Sequence, residues 1–394
     1  MGTMMKQWVL RVRVPIYVAL GLLLAASLAV PVVVHNPPVA SAAGISLNSS
    51  VQISFPNTMT FNIKAQSDVN VTALRLHYIV RRQNFATVVS EGWAQFTPAA
   101  SVDTQWVWDM RKSSLPPGAQ VEYWWTAQDA GGKTSETSHS TVTFNDDRFG
   151  WQSITTAPIT IMWHSGNQAF ASALMTAAQQ GLQRIEGDVG AVPTGNALIW
   201  IYASAQELQG AQLFAPQWEG GVTFEGFDVI AVGVSTGQLS FGQRAVPHEL
   251  THWIVGQITF NNYGAGLPVW LDEGLATYGE GTVAPEYKLA LQGAISNNQL
   301  ISVRSLSSPF SADPTVAYIS YGESNSIVTF MIQKYGKDKM RQLLEIFHQG
   351  SGYDDALKQV YGFDQDGLDT LWRQSLGIKT ASVEPDEMAL VLAK

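Results

Sequence analysis

His248 and His252 stand four residues apart in the string HELTH, with Glu249 beside the first. On a helix, positions i and i+4 share one face, one turn apart, so both imidazoles can reach a single metal ion. Glu249 then falls on the side where a water on that ion would sit. A carboxylate there can accept the water's proton. Farther along, WLDEGLATY (Trp270 to Tyr278) offers Glu273 near the start of a second helix. Two imidazoles and one carboxylate leave a fourth position for water, the arrangement of a catalytic zinc rather than a structural one. The plainer alternative is a helix pair that carries polar residues on its surface.

HELTH followed at this distance by LPVWLDEGLATY resembles the gluzincin metallopeptidases, the thermolysin and aminopeptidase N group of the peptidase MA-like superfamily. The resemblance covers roughly residues 197 to 345, and the two motifs together are highly specific. It implies zinc held by His248, His252 and Glu273, with Glu249 as general base, and a zincin-like catalytic fold. It also implies a tyrosine that opens a later helix and donates to the oxyanion. In YISYGESNSIVTFMIQKYG, Tyr321 resembles that residue, and Tyr318, one turn earlier, competes for the role. A phenol suits it, since it stays protonated at neutral pH yet donates well.

Two departures from the family stand out. The Gly-x-Met-Glu-Asn loop that holds a free amino terminus is absent. GGVTFEGFD occupies its place, with Glu225 the nearest acid. An Asp one turn after the third ligand is also missing, and Thr277 stands there. Orientation of the ligand histidines is therefore expected from elsewhere, such as a backbone carbonyl.

The elements that must position these residues follow from the wider pattern. The chain has 394 residues, 46% of them hydrophobic and 14% charged, which is ample for a sizeable core and argues against disorder. There is no Cys, so disulfides, a thiol nucleophile and Cys-ligated zinc are excluded, and His and carboxylates remain as ligands. The net charge of −9, without a basic stripe, makes a poor nucleic-acid binder. Lys6, Arg11 and Arg13 precede an uncharged apolar run, Val14 to Val34, and VASAAG follows. Residues 1–43 thus read as an export signal cleaved near Ala42 or Ala43, or as an uncleaved membrane anchor. Either reading puts the rest outside the cytoplasmic membrane, extracellular or on the cell surface.

Residues 45–147 read as short strands with turns at Pro-Pro-Gly and Gly-Gly. LPPGAQVEYWWTAQDAGGKTS resembles the late strands of fibronectin type III and immunoglobulin-like modules, implying a β-sandwich. Trp106, Trp108, Trp124 and Trp125 read there as core aromatics rather than a carbohydrate platform. After NDDRFGW the pattern changes to strands and then helices through residue 378, an α+β arrangement, with a tail at 379–394. The stretch Gly221 to Val234 reads either as an edge strand that binds extended substrate or as a plain core strand. His35, His77, His139, His164 and His348 read as structural or surface residues. Taken together, the chain is expected to be an exported zinc metallopeptidase acting on peptides or proteins. The competing expectation is a non-catalytic extracellular adhesion protein that keeps the fold.

Overall fold

The computed structural model describes residues 32–35, 44–83, 85–213 and 220–378. The expected export segment, apart from one short strand, and the tail at 379–394 lie outside the described residues. Among the described residues, no helix is long and apolar enough to cross a membrane.

The first part is antiparallel β structure: β1 (Val32–His35), β2 (Ser46–Ser54), β3 (Thr58–Val80), β4 (Ser90–Trp93), β5 (Ala99–Asp109), β6 (Ala119–Asp129), β7 (Thr134–Glu136) and β8 (Ser140–Phe144). Strand β3 organises it. Its first half pairs with β2 and β5, and its second half with β6 and β4. The register breaks between Gln66 and Val71. A second shift, against β6 between Val71 and Ala73, flips the inward face: Met59, Phe61, Ile63, Ala65 and Val71 are buried before it, Leu74 and Leu76 after it. One 23-residue strand thereby serves two stretches of sheet around a shared core. Of the four tryptophans expected inside, Trp108 and Trp125 join this core and Trp106 packs against it. Trp124 is buried differently, stacked between the rings of His77 and His139.

The second part is built on a five-stranded sheet in the order β12-β13-β11-β10-β9. Its strands are β9 (Gln152–Thr156), β10 (Ile159–Trp163), β11 (Ala197–Tyr202), β12 (Gly221–Phe224) and β13 (Val229–Gly233). The central three run parallel, and β9 and β12 are antiparallel edges. Both faces of the sheet are covered, so its central strands read as near-continuous apolar runs. Ile199, Ile201, Ile230 and Val232 meet the helices, whereas Trp200, Tyr202, Val229 and Ala231 join the core of the N-terminal β region. The two parts thus share one sheet as a common wall.

Nine α-helices complete the described residues: α1 (Gln168–Arg184), α2 (Ala205–Gly210), α3 (Leu239–Thr259), α4 (Val269–Gly279), α5 (Pro285–Ser296), α6 (Pro314–Tyr335), α7 (Lys337–His348), α8 (Tyr353–Tyr361) and α9 (Gln365–Ser375). This is the α+β composition the sequence implies. Helix α4 lies between α3 and α6, and glycine permits the close approach. A Cβ at Gly274 would sit 2.5 Å from the Ser324 carbonyl oxygen of α6. At the other end, Gly279 meets the Thr251 side chain of α3. Any larger residue at 274 would push α4, and Glu273 with it, away from its place.

Glu323 is an unusual member of this packing. It is fully buried on α6, accepts a hydrogen bond from the Ile301 amide at 3.0 Å, and leaves Oε2 without a hydrogen bond. Burial pushes its carboxyl up to about 8. Since the folded pKa exceeds the unfolded one, the neutral acid favours the fold at low pH. That contribution disappears as pH rises from the ordinary carboxylate range through about 8. Glu323→Gln is therefore expected to raise the melting temperature at pH 8.5 by at least about 2–4 °C and to change it little at pH 4.5. Equal shifts at both pH values would contradict this reading.

Candidate metal centre

Helix α3 runs through HELTH, so His248 and His252 lie one turn apart on one face, their ring centroids 4.9 Å apart. Helix α4 brings Glu273 opposite them. His248 Nε2 lies 3.4 Å and His252 Nε2 3.6 Å from Glu273 Oε2. One ligand atom from each of the three falls within 4.8 Å of the others. His248, Glu249, His252 and Glu273 are only 2%, 6%, 3% and 4% exposed. The sequence-predicted ligands therefore converge, and they are buried rather than spread over a helix surface.

The two other imidazole nitrogens are engaged by carboxylates. His248 Nδ1 donates to Glu280 Oε1 at 2.9 Å, and His252 Nδ1 donates to Asp272 Oδ1 at 2.9 Å. Each contact fixes the tautomer and turns Nε2 toward Glu273. This corrects the sequence expectation of a backbone carbonyl. The Asp missing at the Thr277 position is replaced by Asp272, next to Glu273, and by Glu280, two turns beyond it. Thr277 instead donates to the Glu273 carbonyl oxygen at 2.8 Å. Arg244, one turn before His248, approaches Glu280 at 3.8 Å. The sequence signal for Glu280 was an acid on the same face of α4 as Glu273, seven residues on.

Electrostatics bind the cluster together. Burial alone would lower the His248 imidazole, but the carboxylates of Glu273 and Glu280 outweigh it and raise it to about 10. Burial would raise Glu273, yet the two imidazoles hold it well below the usual carboxylate range. Glu280 is pushed upward by burial against the pull of His248 and Arg244. A divalent cation fits this donor set. Two neutral imidazoles and a carboxylate are the ligands zinc takes, and Glu273 Oε2 is buried without a hydrogen bond of normal geometry. Cation uptake at neutral pH then displaces a proton from the cluster.

Glu249, next to His248 on α3, is buried against the edge strand β12. Thr223 Oγ1 lies 2.8 Å from the Glu249 carbonyl oxygen and 3.0 Å from Oε2, and donates to them. A Cβ at Gly221 would meet the Glu249 side chain at 2.9 Å, so a larger residue there would displace that carboxylate. The stretch Gly221 to Val234 is thus a hairpin whose first strand forms the sheet edge beside Glu249 and whose second is fully buried. Glu225 sits exposed in the turn between them.

Tyr321 departs from its expected place. Helix α6 begins at Pro314 behind an Asp313 cap, so Tyr321 lies two turns inside rather than at the helix start. It is 2% exposed, stacked on Tyr287 at 5.1 Å and edge-on to Phe310. Tyr318 is more open and meets Tyr287 at 5.7 Å. Tyr287, which no sequence motif marks, is held protonated chiefly by burial and also by the charges of Glu280 and Glu273. Three other histidines are engaged elsewhere: His77 and His139 flank Trp124, and His164 stacks on Phe149.

The contacts of Glu280 and Asp272 with the two imidazoles carry a prediction. Glu280→Gln and Asp272→Asn are each expected to weaken zinc binding by about 10–100-fold in a competition titration against a chromogenic chelator. Unchanged affinity in both variants would show that the histidines need no such support.

A search of curated proteins gave no match. Among solved structures, the chain is similar to the bromine derivative of BhCBM56, at 14% identity and a TM-score of 0.19, over 26% of this chain and 96% of that one. It is also similar to a polysaccharide deacetylase from Bacillus cereus, at 12% identity and a TM-score of 0.17, over 64% of this chain and 79% of that one. Such scores carry no argument about fold or site. The profile of the Peptidase MA superfamily matches residues 177–378, which is just over half of the chain and spans α3, α4 and α6 with every residue of the buried cluster. By that match, the chain belongs to the Peptidase MA superfamily.

Proposed function

We propose that the chain is an exported zinc metallopeptidase of the gluzincin type, hydrolysing peptide bonds. The observation that carries this reading is the buried set His248, His252 and Glu273, with the Glu249 carboxylate intact beside it. Residues 150–378 form the peptidase domain in this reading, and 45–147 an immunoglobulin- or fibronectin-like accessory module. Residues 1–43 serve export or anchoring, and 379–394 form a tail. A zinc ion held by the three ligands would polarise the scissile carbonyl and acidify a water.

The protein groups then do the following. Glu249 takes the proton of the attacking water as its oxygen bonds to the carbonyl carbon. It later delivers that proton to the leaving nitrogen as the C–N bond breaks. Thr223 holds the carboxylate for both transfers. Tyr321 donates a hydrogen bond to the developing oxyanion. Strand β12, at the sheet edge, takes the substrate in extended form through main-chain pairing, which suits peptides of varied sequence. Without the amine-anchoring loop, the site has no evident preference for a free amino terminus. The non-catalytic alternative is disfavoured by the retained base.

Glu249→Gln is expected to keep stoichiometric zinc and lose turnover by about 10²–10⁴-fold, whereas His252→Ala loses the metal. A Glu249→Gln variant that digests casein like the wild type would remove Glu249 from the mechanism. Tyr321→Phe should lower kcat by about 10²–10³-fold at unchanged zinc content, with Tyr318→Phe near wild type. The opposite ranking would move the oxyanion role to Tyr318.

A further inference from the structure

We propose that Gln83, in the N-terminal β region, is a positioning residue for the peptidase site: through Asp228 it locks the β12–β13 hairpin onto α3, so that Thr223 stays seated on Glu249. The proposal rests on the reading of Glu249 as the base and extends it to a residue far outside the superfamily match.

Gln83 follows the end of β3. Its amide nitrogen donates to the Gly226 carbonyl oxygen at 2.7 Å, in the turn between β12 and β13. Its side-chain Nε2 donates to Asp228 Oδ2 in the same turn. The other oxygen of Asp228 accepts from two α3 side chains, Trp253 Nε1 at 2.8 Å and Gln257 Nε2 at 3.2 Å. Trp253 is the residue after the ligand His252. One carboxylate thus joins three bodies: the β region, the hairpin that carries Thr223, and the helix that carries Glu249.

The junction is built under constraint. Asp228 adopts φ of 54°, a left-handed conformation that non-glycine residues seldom take, and its neighbour Gly226 has φ of 79°. Such a turn persists only where its surroundings over-determine it, and the Asp228 contacts supply that. Aromatic packing reinforces the same contact. Phe85 sits edge-on to Phe260, just past the end of α3, and the Arg82 guanidinium lies 4.3 Å from the Phe85 ring and 4.9 Å from Phe227 in the turn. Strand β12 is the outer strand of the sheet, paired on one side only, with β13. Here the edge strand is pinned at the turn by Gln83 and at its start by Thr223 and Gly221 against Glu249.

The test is a double-mutant cycle between Gln83→Ala and Thr223→Val, read in zinc content, kcat, KM and amide hydrogen exchange of β12. Gln83→Ala is expected to keep zinc, to lower kcat about tenfold, and to speed exchange in Gly221 to Phe224. The double variant should be no slower than Thr223→Val alone, because both act through one contact. Asp228→Asn, whose oxygen still serves Trp253 and whose amide can face a turned-over Gln83 amide, should stay near wild type. Additive losses in the double variant, or unaltered β12 exchange in Gln83→Ala, would overturn the proposal. A wild-type chain without activity would refute the peptidase reading instead, and the exchange measurement would still decide the role of Gln83.

Discussion

Burying a carboxylate without partners is strongly unfavourable, and the helical half of this protein is arranged around that fact. Glu273 and Glu280 are both buried, as are the two imidazoles between them. Each charge is tolerable only because the next one faces it, in the sequence Glu280, His248, Glu273, His252, Asp272. The chain of alternating acid and imidazole turns both Nε2 atoms toward Glu273. Glu273 Oε2 is left for a cation to complete.

The packing follows from this requirement. The cluster needs α3 and α4 close enough for a short carboxylate to reach two imidazoles; Gly279 allows that approach, and Gly274 lets α6 close on the other side of α4. The Glu249 carboxylate packs against the edge strand β12, which comes close through a glycine at 221. That strand needs an anchor of its own, and its turn finds one in Asp228 and Gln83. In this account the N-terminal β region is part of the frame of the site, since its core also covers one face of the sheet that carries β12.

Much of this was legible in the sequence, and the boundary of legibility has a physical cause. HELTH and WLDEGLATY point to the buried group of His248, His252 and Glu273 because helical periodicity makes spacing equivalent to geometry. The order of strands and then helices gives the α+β class for the same reason. Asp272 and Glu280 escaped because an acid that orients a histidine across two helices has no spacing rule relative to it. Tyr321 was placed at a helix start because the periodic pattern shows the helix interior, whereas its beginning depends on the Asp313 cap and Pro314. Gln83 was invisible for the plainest reason: its partner Asp228 lies 145 residues away. The flip of the inward face within β3 likewise needs the register of four partner strands to be seen.

The central claim is that two imidazoles and one carboxylate of this chain form a single zinc site with an open position. Zinc K-edge X-ray absorption on the full chain carrying one equivalent of zinc tests it most directly. The account predicts a four-coordinate nitrogen and oxygen shell at about 2.0–2.1 Å, with outer-shell scattering from two imidazoles. A six-coordinate, all-oxygen shell, or scattering from one imidazole or none, would contradict it.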